Sequence, residues 1–99
     1  MTDHPRRFLV AYDIADDLRR TRIANVLSEH GDRVQYSVFV ADCRPARLIR
    51  LRTQLAKLIK PGEDSILICD LGLSAHAATD AMQYLGTRRT ITSDVLTIV

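Results

Sequence analysis

The sequence predicts an α+β sandwich, one antiparallel sheet covered on one face by two helices. Three observations carry this. Strand-like runs and helical patterns alternate along the first 70 positions, as a two-layer α/β domain requires. Leu48, Leu51, Leu55 and Leu58 recur at 3, 4, 3 spacing, the apolar stripe of an amphipathic helix. The chain has 99 residues, and at that size about 65% of the unfolded surface is buried. That is one compact domain, with no space for a separate cofactor-binding domain.

Each element has its own signal. Arg7 to Ile14 contains the apolar run Phe8-Leu9-Val10-Ala11-Tyr12, which suits a central strand. Asp16 and Asp17 open a helix, since an Asp side chain accepts free N–H groups and its charge suits the positive end. That helix runs from about Asp17 to His30, with Ile23, Val26 and Leu27 on one side, and Gly31 ends it. Arg33 to Asp42 is rich in β-branched and aromatic residues, either one kinked strand or two breaking near Ser37. Pro45 suits the first turn of the second helix, and Pro61-Gly62 stops it. Ser65 to Asp70 is a further strand. The resulting βαββαβ order is the ferredoxin-like plan. Beyond Leu71 the pattern weakens: Gly72 to Thr79 suits a loop, Ala75 to Met82 a helix, and Met82 to Leu85 a strand equally well. Asp94 to Val99 reads as an extra C-terminal strand, pairing with its own sheet or with a partner's.

Composition narrows the class. Apolar residues make up 46% and aromatics 5%, without Trp, so the core is aliphatic and the chain is not disordered. No apolar run of 18 residues exists, which excludes a membrane-spanning helix. Asp13 interrupts the N-terminal apolar segment, so a signal peptide is not expected. Cys43 and Cys69 lack the short spacings of a zinc site and read as reduced thiols of a cytoplasmic protein. No phosphate-binding glycine loop is present.

The net charge is only +2, yet 12 of the 14 basic residues are Arg, and Arg presents a planar fork that suits phosphate. The arginines cluster at Arg6-Arg7, Arg19-Arg20-Arg22, Arg44-Arg47-Arg50-Arg52 and Arg88-Arg89. Separated clusters suit a large anionic partner such as duplex nucleic acid. A solvated face paired with nearby Asp is the plainer alternative.

Asp13 ends an apolar strand, where a carboxylate meets solvent, and Asp is a hard ligand suited to Mg²⁺ or Mn²⁺. Capping of the loop before the helix, as at Asp16 and Asp17, is the plainer reading of the spacing alone. Ser37 lies in no nucleophile elbow, and no spacing marks His4, His30 or His76 as its base.

Tyr12-Asp13-Ile14-x-Asp16-Asp17-x-Arg19-Arg20-x-Arg22, followed by Gly31-Asp32-Arg33-Val34-Gln35-Tyr36-Ser37-Val38-Phe39, closely resembles the CRISPR-associated Cas2 family. Asp64-Ser65-Ile66 and the Gly after Tyr84-Leu85 continue the likeness. The resemblance implies one ferredoxin-like domain over residues 1–99. It also implies a homodimer, with a C-terminal extension from about 72 that would pair with the partner's sheet. It implies Asp13 as the metal ligand and catalytic carboxylate, with two copies sharing one Mg²⁺ or Mn²⁺. The chemistry would be phosphodiester hydrolysis leaving a 3′ hydroxyl. Tyr12 and Phe39 would support that site, while Arg19, Arg20, Arg22 and Arg33 would contact nucleic acid. The implied role is spacer acquisition: binding duplex DNA and bridging integrase dimers, with single-stranded RNA as a further implied partner. A toxin-type ribonuclease of a related family is the alternative.

Overall fold

The computed structural model describes residues 4–76, 81–89 and 91. Strand β1 (Arg6–Asp13) leads into helix α1 (Asp17–Ser28), then strands β2 (Asp32–Gln35) and β3 (Val38–Cys43), helix α2 (Pro45–Leu58) and strand β4 (Ser65–Leu73). The sheet order is β2-β3-β1-β4, with every neighbouring pair antiparallel. This is the expected ferredoxin-like plan. The 33–42 segment is two strands, broken at Tyr36-Ser37. The final strand expected over 94–99 lies outside the described residues, and 82–85 do not form a strand.

Alternation along β1 sorts its side chains between two faces. Val10 and Tyr12 point to the helices and join Phe39, Ile23, Ala24, Leu27, Leu51 and Leu55 in the main core. Leu48, Leu58 and Val26 pack at its margin, so both predicted helical stripes face the sheet. Fully burying one such Leu stabilises by about 1.5–3 kcal/mol. Asp16 caps α1, its carboxylate accepting from the Arg19 N–H at 2.9 Å. At α2, Pro45 takes the first turn and Arg44 precedes it without a side-chain cap.

Two glycines act differently from the expectation. Gly31 does follow α1, but not as a left-handed cap, since only Gly72 and Gly86 have positive φ. A Cβ on Gly31 would stand 2.2 Å from the Val40 carbonyl oxygen. The residue lets the chain pass close against β3. Gly72 lies inside β4 rather than opening a loop. Its φ of 100° coincides with a register shift, where Phe8 faces Asp70 but Arg6 faces Leu73. One extra residue is accommodated there as a bulge, which lets the strand continue to Leu73.

The second face of the sheet is built differently. Val34, Val40 and Ile91 form a small cluster with Val38 and Met82 at its edge. Nearer β4 the face opens, and Leu67 is 58% exposed.

Candidate nucleic-acid interface and metal centre

Tyr12, near the end of β1, has its ring under the helices, stacked with Phe39 at 6.3 Å between centroids. Phe39 belongs to β3 and is buried. Arg33 comes from β2, directly opposite Phe39 in register. Its guanidinium sits 5.1 Å from the Phe39 centroid and 6.0 Å from that of Tyr36, within cation–π range of both. The Tyr12 hydroxyl donates to the Tyr36 carbonyl at 3.3 Å and accepts from Arg33 at 3.4 Å. The Ser37 backbone carbonyl accepts the Tyr12 N–H at 3.0 Å. Arg20 closes the group. It donates to the carbonyls of Ile14 and Ala15 at 3.0 and 3.2 Å and pairs with Asp17. The Asp17 bond raises its already high pKa. Tyr12, Arg20 and Arg33 thus border one depression, with Phe39 beneath them.

Asp13 is the next residue along β1, so alternation turns it to the opposite face from Tyr12. It is exposed, stands opposite Ser65 of β4, and shares its face with Leu9, Ala11 and Leu67. It forms no ion pair among the described residues. Asp16 and Asp17, its neighbours in sequence, are committed to the helix cap and to Arg20. Among the described residues no group of three or more His, Cys, Asp or Glu could hold a metal. One hard carboxylate fits Mg²⁺ or Mn²⁺ only as half of a site, because such ions take several oxygen ligands.

The arginines divide into two groups. Four are tied to carboxylates. Arg19 donates to Asp64 at 2.7 and 3.1 Å and to Glu63 at 3.0 Å. The Asp64 side chain is fully buried and also accepts the Lys60 N–H at 2.8 Å. The Arg19 bond, then the Lys60 bond, hold the Asp64 carboxyl below its usual pKa. Arg6 bonds Asp70 at 2.9 Å. Arg7, 2% exposed, grips Asp42 with two bonds of 2.8 Å. Arg6-Arg7 is therefore not the free basic patch the sequence suggested. Arg20 is the fourth. By contrast, Arg22, Arg33, Arg44, Arg50 and Arg52 form no ion pair among the described residues. Arg47 donates to His30 Nδ1 at 3.2 Å. Arg44, Arg47 and Arg50, three apart along α2, line a depression of about 470 Å³.

Residues 6–77 match the family model described as CRISPR associated protein Cas2. The chain belongs to the Cas2 family. A CRISPR-associated endoribonuclease Cas2 of Chloroflexus aurantiacus is 50% identical over 58 residues, 59% of this chain and 62% of that protein. The crystal structure of Streptococcus pyogenes Cas2 superposes with a TM-score of 0.69 at 27% identity, covering 81% of this chain and 99% of that one. A chain of a partial Cas6-RT-Cas1–Cas2 complex superposes at 0.60 and 28% identity, covering 67% and 78%.

In this Cas2 chain the predicted site residues fall in four places. Tyr12, Arg20, Arg33 and Phe39 come together on the helix side. Asp13 lies on the other face, apart from the other predicted site residues. Arg22 is exposed on α1, and Arg19 is bound to the turn before β4. Sequence reading missed Asp64 and Glu63 as partners of Arg19. The only sequence signal was the acidic pair just ahead of β4, which opens opposite Asp13.

Proposed function

We propose that this Cas2 chain serves CRISPR adaptation as a homodimeric scaffold that binds duplex DNA and joins an integrase subunit in the cytoplasm. The observation that carries the reading is the division of arginines. Those left without a carboxylate among the described residues lie on α1, on α2 and beneath the helices at β2, so one side of the sandwich can face phosphate. The opposite side carries the apolar face of Leu9, Ala11 and Leu67. Packing two such faces together forms the dimer. The C-terminal segment then extends the partner's sheet, for which β4 offers a nine-residue edge strand. The likeness to a chain of a Cas1–Cas2 complex supports the integrase partner. Among the described residues no helix is long and apolar enough to cross a membrane.

Asp13 lies on that same face, so the dimer brings its two copies towards one another and supplies the carboxylates that one chain lacks. The two Asp13 carboxylates would hold a Mg²⁺ or Mn²⁺ ion there, and the chemistry such an ion would supply is polarisation of a phosphodiester and a lower pKa for water. Arg20 contributes by bonding the carbonyls of Ile14 and Ala15, which fixes the loop directly after Asp13. Arg22 and Arg33 remain available for phosphate, whereas Arg19 acts through the Asp64 turn.

Duplex DNA binding measured against salt tests the scaffold. Each phosphate contact contributes about 0.9 to the slope of log K against log salt. The triple variant Arg44→Ala, Arg47→Ala, Arg50→Ala is expected to lower the slope by about 2–3. An unchanged slope removes α2 from the interface. Asp13→Ala is expected to keep binding and abolish metal-dependent cleavage. Cleavage surviving in that variant excludes Asp13 from the chemistry.

A further inference from the structure

We infer that the depression between α1 and the β2–β3 turn holds one unpaired nucleobase, stacked on Tyr36. It encloses about 290 Å³, just under the usual range of small-ligand sites, about 300–1,000 Å³. That is room for a single base and none for a duplex. Tyr36 is 72% exposed, unlike Tyr12 and Phe39, whose rings are buried in the core. It stands at the break between two strands, where the Tyr12 hydroxyl donates to the Tyr36 carbonyl and the Tyr12 backbone N–H to the Ser37 carbonyl, holding the turn at two points. An aromatic ring presented on a fixed turn is a stacking platform, and every base has a face to offer it.

The surroundings match that ligand. Arg33 lies between Phe39 and Tyr36, so a cation without a carboxylate partner sits against the platform and can meet the flanking phosphate. Thr21 and Asn25, four apart on α1 and therefore on one side of it, line the same depression. They offer uncharged donors and acceptors to a base edge. No carboxylate, imidazole or thiol lines it, and the guanidiniums of Arg20 and Arg33 do, which makes a cation an unsuitable occupant. Duplex DNA keeps its bases stacked inside, so this site reads single strands, frayed ends or overhangs. The inference rests on the nucleic-acid role proposed above and adds a subsite that α2 does not provide.

The test compares labelled oligonucleotides of one sequence by fluorescence anisotropy at one salt concentration. The probes are single-stranded DNA, single-stranded RNA and the blunt DNA duplex, with the full chain, Tyr36→Ala and Tyr36→Phe. Stacking on one aromatic side chain corresponds to about 5- to 140-fold in affinity. Tyr36→Ala is expected to lose that factor on a single strand while the blunt duplex is unaffected. Tyr36→Phe retains single-strand binding. Loss on RNA alone, or on DNA alone, identifies which polymer supplies the base. Equal loss on duplex and single strand, no loss on any single strand, or Tyr36→Phe failing as badly as Tyr36→Ala overturns the inference. A parent protein that binds single strands but no blunt duplex sinks the duplex scaffold and leaves this subsite standing. Unchanged thermal midpoints confirm that the exposed ring was removed without unfolding the chain.

Discussion

Gly31→Ala is the smallest change that should damage both fold and site. The added Cβ would lie 2.2 Å from the Val40 oxygen, 2.8 Å from the Val40 carbonyl carbon and 2.9 Å from the Ala41 Cα. All three are backbone atoms of β3, so no side chain can swing aside. Relief requires β3, or the link from α1 to β2, to move by about 1 Å, and overpacking of this kind costs about 1–3 kcal/mol, occasionally more. A backbone obstacle puts this case near 3 kcal/mol. For a domain of this size each kcal/mol lowers the thermal midpoint by about 4–8 °C, so a fall of roughly 12–24 °C is expected. β3 also carries Phe39, which supports Arg33 and Tyr12. Single-strand binding should therefore weaken even below the new midpoint. Thermal unfolding followed by circular dichroism reads the first effect, and anisotropy the second. A midpoint within about 2 °C of the parent would show that the chain passes β3 with space to spare, and the close-approach argument would fail.

Two pH effects follow from named contacts. Asp64 has its folded pKa lowered by Arg19 and the Lys60 N–H, so its contribution is full above the unfolded carboxyl value of about 3.9 and disappears as pH falls through the folded value. The gap in thermal midpoint between parent and Asp64→Asn should therefore be wide at neutral pH and close in acid; a gap constant with pH would contradict the assignment. His30 is held below the ordinary histidine pKa by burial and then by the Arg47 charge. Its protonation costs stability as pH drops below about 6.5. NMR should show it titrating below that value and moving upward in Arg47→Ala, and a resonance unmoved by the substitution would separate the two residues.

Both helices were legible because their signals are local. The Leu48–Leu58 stripe and the Asp16 cap each need only a few consecutive turns of chain. The strand break at Tyr36-Ser37 was half legible, since β-branched residues run through it and nothing in composition separates a kink from a turn. What could not be read was pairing over distance. Arg19 meets Asp64 across 45 positions, and nothing in either neighbourhood says which of ten Asp residues that arginine will find. Gly31 is visible in the sequence as a helix stop, whereas its close approach to β3 exists only once the sheet is assembled. The site divides in the same way. Its residue types were visible as motifs, whereas the opposite facing of Tyr12 and Asp13 appears only with the strand register.

The excess of Arg over Lys has two physical origins, and they can be separated. At Arg7 the guanidinium makes two parallel bonds of 2.8 Å to a partly buried carboxylate, which the single ammonium of Lys cannot reproduce. Losing one charge-assisted bond costs about 1.5–3 kcal/mol, and the shorter reach leaves Asp42 underbonded on the inner side of the pair. On α2 the proposed partner is a phosphate backbone, for which charge matters more than fork geometry. Arg7→Lys should therefore lower the thermal midpoint by roughly 6–24 °C, while Arg50→Lys should leave both the midpoint and the salt slope of duplex binding unchanged. Arg50→Ala should lower that slope by about 0.9. If Arg7→Lys proved silent, the pair with Asp42 would not hold the sheet. If Arg50→Lys cost as much slope as Arg50→Ala, the α2 arginines would be reading geometry, and phosphate charge alone would not explain their number.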